Sequence, residues 1–422
     1  MTSRANDDAE RLAALSPTLT AWLLFEAPRA PSPAALLHGF AQQLNAAGLA
    51  LVRLNLQVRP LSPQVAATLY VWRPFERASE FSPRARIVDN ETHTFPDGIV
   101  TATSVAHGSF SSESFRVSPF HTLLVGREPL VRRRLAPEQA AFDFPILADL
   151  HAQGATDYLA LPFRSPGTEL AGASFVTGRP GGFTDAEVER LRVALDAFVH
   201  VLSPLVWAHT ARTLLGVYLG PKTADRVLAG RVQRGDVEEI DAAIWFSDLR
   251  GFTPLTASAE PRTLVAWLNE YFGTVAAEVV RHDGEILKFV GDAILAVWPV
   301  TAERSRESTC REALAAALDA NAALDRMNAS RSSRGLVPME HGIGLHVGAV
   351  QYGNIGAEGR LDFTVIGTAV NTASRLEGAC AKLGRRVAAS AEFAACAGAG
   401  LVHVADVELK GLAAPHAVFS PG

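Results

Sequence analysis

The chain has 422 residues, 48% of them hydrophobic and 20% charged, with a formal net charge of −5. That length holds two or three domains with ordinary cores, and that charge, with no run of basic residues, weighs against nucleic-acid binding as the main business of the protein. Three cysteines, Cys310, Cys380 and Cys396, lack metal-ligand or redox spacing, so they imply neither a disulfide framework nor a zinc site and fit a reducing compartment.

Asp7, Asp8 and Glu10 precede any apolar run, which is not the layout of a signal peptide. The most apolar long stretch, 193–208, contains Asp196, His200 and Pro204 and falls short of membrane-spanning length. The expectation is a soluble, cytoplasmic chain with no membrane span. Residues 20–205 read as an α+β domain: a helix over 34–47, strands over 49–58 and 67–72, a Ser/Pro/Arg-rich loop region, then strands over 158–163 and 169–177 around an Arg164-Ser-Pro-Gly turn. Thr184-Asp-Ala-Glu187 is a capping box. It opens a helix with apolar residues at Val188, Leu191, Leu195, Phe198, Leu202 and Leu205, a spacing that suits packing on its own sheet or self-association. Strand, glycine-rich turn, Phe-Thr-Asp-Ala-Glu and exit helix together resemble the end of a GAF-type sensor domain over about 155–205. The resemblance implies a sensor or dimerisation domain of unknown ligand; a scaffold without ligand is the alternative. Residues 206–235, with Gly216, Gly220-Pro221 and Gly230, break the helical pattern and read as a connecting helix or linker.

From residue 236 the pattern gives a strand over 241–246, a helix over 260–282, a hairpin over 285–298, a helix over 303–328 and a glycine-spaced strand over 341–354. This is a ferredoxin-like βαββαβ order, with helices on one face of an antiparallel sheet. Asp248 ends a hydrophobic run, and Gly291-Asp292 joins two apolar β-like runs as a hairpin signal. If those strand ends are neighbours, the two carboxylates converge and repel unless divalent cations with oxygen ligands neutralise them, an arrangement suited to phosphoryl chemistry. Either Asp alone also reads as a turn residue. Lys288 lies on a strand face with Ile286 and Val290, where a structural salt bridge is the competing reading. Downstream, a helix over 370–382 sets Asn371 and Arg375 at i and i+4, an amide beside a guanidinium, which suits an anionic, oxygen-rich ligand. Gly342-Ile-Gly344 reads only as glycine in a strand, and no phosphate-loop motif is present. His93, His341 and His346 have no ligand spacing.

In order, the motifs Phe-Ser-Asp248-Leu-Arg-Gly-Phe-Thr, Lys288-Phe-Val-Gly-Asp292, Phe-Thr364-Val-Ile-Gly, Val-Asn371-Thr-Ala-Ser-Arg375 and Leu-Lys410-Gly resemble the class III nucleotidyl cyclases from about residue 236 to 422. The resemblance implies an adenylate cyclase, a phosphorus-oxygen lyase converting ATP to 3′,5′-cyclic AMP and pyrophosphate. Asp248, Asp292 and the Leu249 carbonyl would bind two divalent cations, Mg2+ or Mn2+. Lys288 and Thr364 would read the purine, Asn371 and Arg375 would orient the ribose and stabilise the transition state, and Lys410 would contact the polyphosphate or simply be solvated. Thr364 stands where many members have Asp, as in a bicarbonate-responsive subgroup. Metals from one subunit and purine, ribose and phosphate contacts from the other imply a homodimer with two composite sites. A guanylate cyclase and a catalytically silent nucleotide-binding dimer are the alternatives.

Overall fold

The computed structural model describes residues 15–75, 87–136, 138, 141–164, 171–251, 260–409 and 415–422. It divides into two units, Met1–Leu214 and Leu215–Gly422, each built on its own sheet.

The N-terminal unit contains β1 (Leu51–Val58), β2 (Val65–Pro74), β3 (Ile87–Phe95), β4 (Gly98–Ala106), β5 (Val131–Arg134), β6 (Asp157–Phe163) and β7 (Ala171–Thr177), in the sheet order β3-β4-β2-β1-β7-β6-β5. Its main helices are α1 (Pro33–Ala46), α2 (Pro119–Leu124), α3 (Pro145–Ala152) and α4 (Asp185–Leu219). The alternation along β1 sends Leu54, Leu56 and Val58 into one core with α1 and α4, where the rings of Phe40 and Phe198 stack at 4.2 Å.

The capping box at the start of α4 is formed. The Thr184 N–H donates to the Glu187 carboxylate at 2.8 Å, and the Glu187 N–H donates to the Thr184 hydroxyl at 3.2 Å. Val188, Leu191, Leu195, Phe198 and Leu202 are all buried in the unit's own core, so the apolar stripe is occupied by this packing and is not left as a seam between copies. At 35 residues, α4 is also longer than the sequence reading allowed, and by length and composition it could cross a membrane; half of its most apolar window is buried within the unit. Gly216 does not break it. The helix ends at Gly220, whose backbone is left-handed (φ +88°), and α5 (Pro221–Leu228) follows.

The region read as loop contains the β3–β4 hairpin. Nearly every residue of β3 is exposed, so it has no apolar alternation by which a sequence would reveal it.

The C-terminal unit comprises β8 (Val237–Leu249), α6 (Pro261–Arg281), β9 (Glu285–Val290), β10 (Ala293–Pro299), α7 (Arg306–Ser333), β11 (His341–Ala357), β12 (Arg360–Ile366), α8 (Thr368–Cys380), β13 (Val387–Ser390), α9 (Ala391–Ala397), β14 (Leu401–Val407) and β15 (His416–Pro421). Its sheet order is β14-β15-β13-β11-β8-β10-β9, with β12 paired on β11. The run β11-β8-β10-β9 is the ferredoxin-like βαββαβ arrangement expected from the element order. Helices α6 and α7 cover one face, over Trp245 and Trp298.

The other face is covered by α8, whose Ala369 and Ala373 pack on Ala242, Ile244 and Leu295. Here the two glycines dismissed as ordinary strand residues have a specific role. A Cβ on Gly344 would lie 1.9 Å from the Ala373 carbonyl oxygen, and one on Gly342 would lie 2.5 Å from the Glu377 carboxylate. Both positions are bare because the α8 backbone and one of its acids rest directly on β11. Gly344→Ala should therefore displace α8 and cost about 1–3 kcal/mol, read as a lower midpoint in denaturant unfolding. An unchanged midpoint would contradict the close contact.

Candidate active site

β8 is a central strand of its sheet and ends in Ser247-Asp248-Leu249. Its register with β10, Ser247 opposite Ile294, brings that end beside the β9–β10 turn. Val290 pairs with Ala293, so Gly291 and Asp292 form a two-residue loop, with Gly291 left-handed at φ +65° as such a turn requires. Sheet register and turn chemistry thus bring Asp248 against Asp292.

Both aspartates are half-buried. Asp248 accepts a hydrogen bond from the Leu249 N–H at 3.1 Å, which places Leu249 in the same turn. Burial pushes the Asp248 carboxyl up to about 6, helped by the charge of Asp292 and a hydrogen bond between the two side chains. Glu377, on α8, is a third acid in the same field. Burial, then Asp248 and Asp292, push it up to about 7, against the opposing pull of Arg250. The buried Tyr271 phenol is raised as well, first by burial and further by the three acids.

A half-buried, oxygen-only group whose members repel one another is chemically suited to a divalent cation. Glu377 was not singled out from the sequence. Its only signal was its place two residues after Arg375, and its meaning depends on α8 lying across Gly342.

Lys288 is placed by a β-bulge. Leu295 pairs with Lys288 and Ala296 with Ile286, leaving Leu287 as the extra residue. Ile286 therefore packs toward α6 and α7, whereas Lys288 shares the opposite face with Leu295. Even alternation with Ile286 is thus corrected. On that face the Lys288 ammonium donates to Asp362 of β12 at 2.6 Å, an acid also missed in the sequence. Thr364 lies two residues along β12, opposite Gly353, at 4% exposure, and its hydroxyl has no hydrogen-bond partner among the described residues.

Asn371 is exposed and Arg375 half-buried on α8. Among the described residues, no hydrogen bond or ion pair joins either of them to Asp248 or Asp292. Lys410 lies outside the described residues.

Glu278, His282 and Asp319 also bring their ligand atoms within 4.8 Å of one another. The Arg281 guanidinium already donates to both carboxylates, at 2.6 and 2.8 Å, and His282 bonds Asp319 at 2.8 Å. This is an ion-pair network, and it sits where β9 begins, at the opposite end of the hairpin from Asp292.

Residues 236–418 match the family model of the adenylate and guanylate cyclase catalytic domain; the C-terminal unit is a class III cyclase catalytic domain. The chain is 38% identical over 147 residues to adenylate cyclase 1 of Rhizobium meliloti, covering 34% of this chain and 22% of that protein. It is 39% identical over 139 residues to an adenylate cyclase of Anabaena cylindrica, covering 32% and 26%. The matches thus span about a quarter of those relatives' length. Among solved structures, the guanylyl cyclase Cya2 is 31% identical over 44% of this chain and 95% of that chain, with a TM-score of 0.39.

The raised carboxyls of Asp248 and Glu377 fix a pH dependence. A carboxyl with a folded-state pKa above its ordinary value of about 4 contributes stability that is present at low pH and lost as pH rises through the folded value. For these two the loss falls between about 4 and the values of about 6 and about 7. Metal-free protein should lose stability across that range, and Mn2+ should restore it, by about 2.7 kcal/mol at a hundredfold excess over Kd. The gain in melting temperature should be larger at pH 8 than at pH 5 and should disappear in Asp292→Ala. An equal gain at both pH values, or an undiminished one in the variant, would contradict the metal-site reading.

Proposed function

We propose that the chain is an adenylate cyclase, forming 3′,5′-cyclic AMP and pyrophosphate from ATP at sites shared between two copies. The observation that carries the reading is the half-buried, mutually repelling pair Asp248 and Asp292, set beside each other by sheet register and a two-residue turn in a unit that matches the cyclase family. When bound, two divalent cations held by Asp248, Asp292 and the Leu249 carbonyl would lower the pKa of the ribose 3′-hydroxyl and neutralise the triphosphate.

The remaining roles belong to side chains. Asn371 holds the ribose so that the 3′-oxygen faces the α-phosphorus in line with the departing pyrophosphate. The Arg375 guanidinium takes up charge on the α-phosphoryl oxygens, and Lys410 takes up charge on the leaving group. On this reading Asn371 and Arg375 of one copy face the aspartates of a second copy related by a two-fold axis, which makes the site composite. We read the N-terminal unit as the GAF-like sensor of the assembly.

Base choice rests on Lys288. An ammonium has three donors; one is directed at Asp362, which leaves donors for adenine N1, an acceptor. Guanine presents an N–H there and would favour an acceptor. The neighbouring Asp362 carboxylate is such an acceptor, so a guanylate cyclase is the second reading. The unpaired Thr364 hydroxyl can donate or accept and does not decide between them.

Product analysis of purified protein with Mn2+ and either ATP or GTP tests both readings. Cyclic AMP should predominate; predominant cyclic GMP would overturn the base assignment, and neither product would overturn the activity. The same assay separates base reading from a structural ion pair. A partly exposed pair contributes about 0–1 kcal/mol, so Lys288→Met and Asp362→Ala should both melt close to the parent. Lys288→Met should lose roughly two to four orders of magnitude in ATP turnover, while Asp362→Ala keeps most of it. Parent-like kinetics in Lys288→Met would make the residue a salt-bridge partner only.

A further inference from the structure

We propose that Cys310 and Cys396 form a redox modification site, at which a peroxide converts two thiols into a disulfide that staples α7 to α9. The proposal is independent of the nucleotide chemistry. No redox motif joins these cysteines, which lie far apart in sequence; the fold brings them together. Helix α9 packs directly against α7. Cys310 falls in the second turn of α7 and is fully buried, while Cys396, one residue before the end of α9, is half-buried. Both belong to one core, into which α9 inserts Phe393 and Ala397. The i, i+4 spacing of those two sets Cys396 on the flank of the buried stripe, between core and solvent. The start of α9 is fixed by Ser390, whose hydroxyl accepts from the Phe393 N–H at 3.2 Å.

The two thiols are neighbours. Burial first, and then Cys396, push the Cys310 thiol up to about 12, with Arg306 opposing that shift. The third cysteine takes no part: Cys380 lies on α8, across the sheet, buried in another cluster with its Sγ 3.5 Å from the carbonyl oxygens of Ile343 and Leu376.

Burial divides the roles. Cys310 stays protonated at neutral pH and is shielded from solvent, so the accessible Cys396 reacts first. Its thiolate attacks one oxygen of hydrogen peroxide; an S–O bond forms as the O–O bond breaks, and the departing oxygen takes up a proton to leave as water. The Cys310 sulfur then attacks the sulfenic sulfur of Cys396. An S–S bond forms, the S–O bond breaks, and the hydroxyl leaves with the Cys310 proton as a second water. The thiols lose two electrons and the peroxide gains them, and exchange with a small thiol restores the pair. The cross-link closes a loop containing β11, β12, α8 and β13, which restricts the unfolded chain and stabilises the unit.

The test treats the full, reduced chain with hydrogen peroxide, counts thiols after denaturation and maps peptides without reduction. The count should fall from three to one, with a Cys310–Cys396 linked peptide that dithiothreitol separates. The denaturant midpoint of the oxidised chain should rise and return on reduction. In Cys310→Ala the link and the rise should vanish, and dimedone should trap a sulfenic acid on Cys396, because the second thiol is gone. If Cys310→Ala does not fold by its melting curve, Cys396→Ser, altered at a half-buried position, decides by losing both the link and the rise. Three thiols surviving the treatment, oxidation of Cys396 without a linked peptide, a Cys396–Cys396 link between chains in its place, or an equal rise in the folded variants would overturn the proposal.

Discussion

Carboxylates held together at a strand end repel one another, and the architecture of the C-terminal unit gathers three of them. Asp248 is fixed by the register of β8, Asp292 by a two-residue turn on a glycine with left-handed backbone, and Glu377 by a helix that rests on a glycine-lined strand. Separating them would relieve the repulsion but would require breaking sheet register or lifting α8 from Gly342 and Gly344. The backbone therefore holds a group of acids that protons partly neutralise, with Asp248 and Glu377 pushed up to about 6 and about 7. At neutral pH, divalent cations are the natural replacement for those protons.

The base-reading end of the proposed site depends on an irregularity rather than on regular geometry. The bulge at Leu287 turns Lys288 onto the face shared with β12, where Asp362 holds its ammonium. Without the extra residue, Lys288 would follow Ile286 toward the core under α6 and α7, where an ammonium would be costly. Asn371, exposed on α8, and Arg375, half-buried there, make no hydrogen bond or ion pair with Asp248 or Asp292 among the described residues.

Much of this was legible in the sequence because the signals were local. The Gly291-Asp292 turn and the capping box at Thr184 each depend on a few neighbouring residues, and each is where it was expected. The misses are non-local or lack a pattern. β3 has no apolar face, so periodicity is silent; α4 continues through Gly216 because open space surrounds that residue and packing against the N-terminal core dominates upstream. A one-residue bulge reverses the face of Lys288 and cannot be read from one strand alone. Glu377 and Asp362 acquire meaning only through the elements they meet, and the Gly342 and Gly344 pair looked ordinary until a helix lay across it.

Sharing of the site between copies is tested most directly by complementation. Asp292→Ala removes a metal-side acid and Asn371→Ala the ribose contact, so each variant alone should form dimers with two dead sites. In a mixed dimer of a shared-site enzyme, one site collects both lesions and the other collects none. With free exchange, about half the dimers are mixed and half of their sites intact, so recovered activity should approach about a quarter of the parent value. No recovery in a mixture shown by mass to contain heterodimers would place the acids and the ribose contact in one chain and contradict the account.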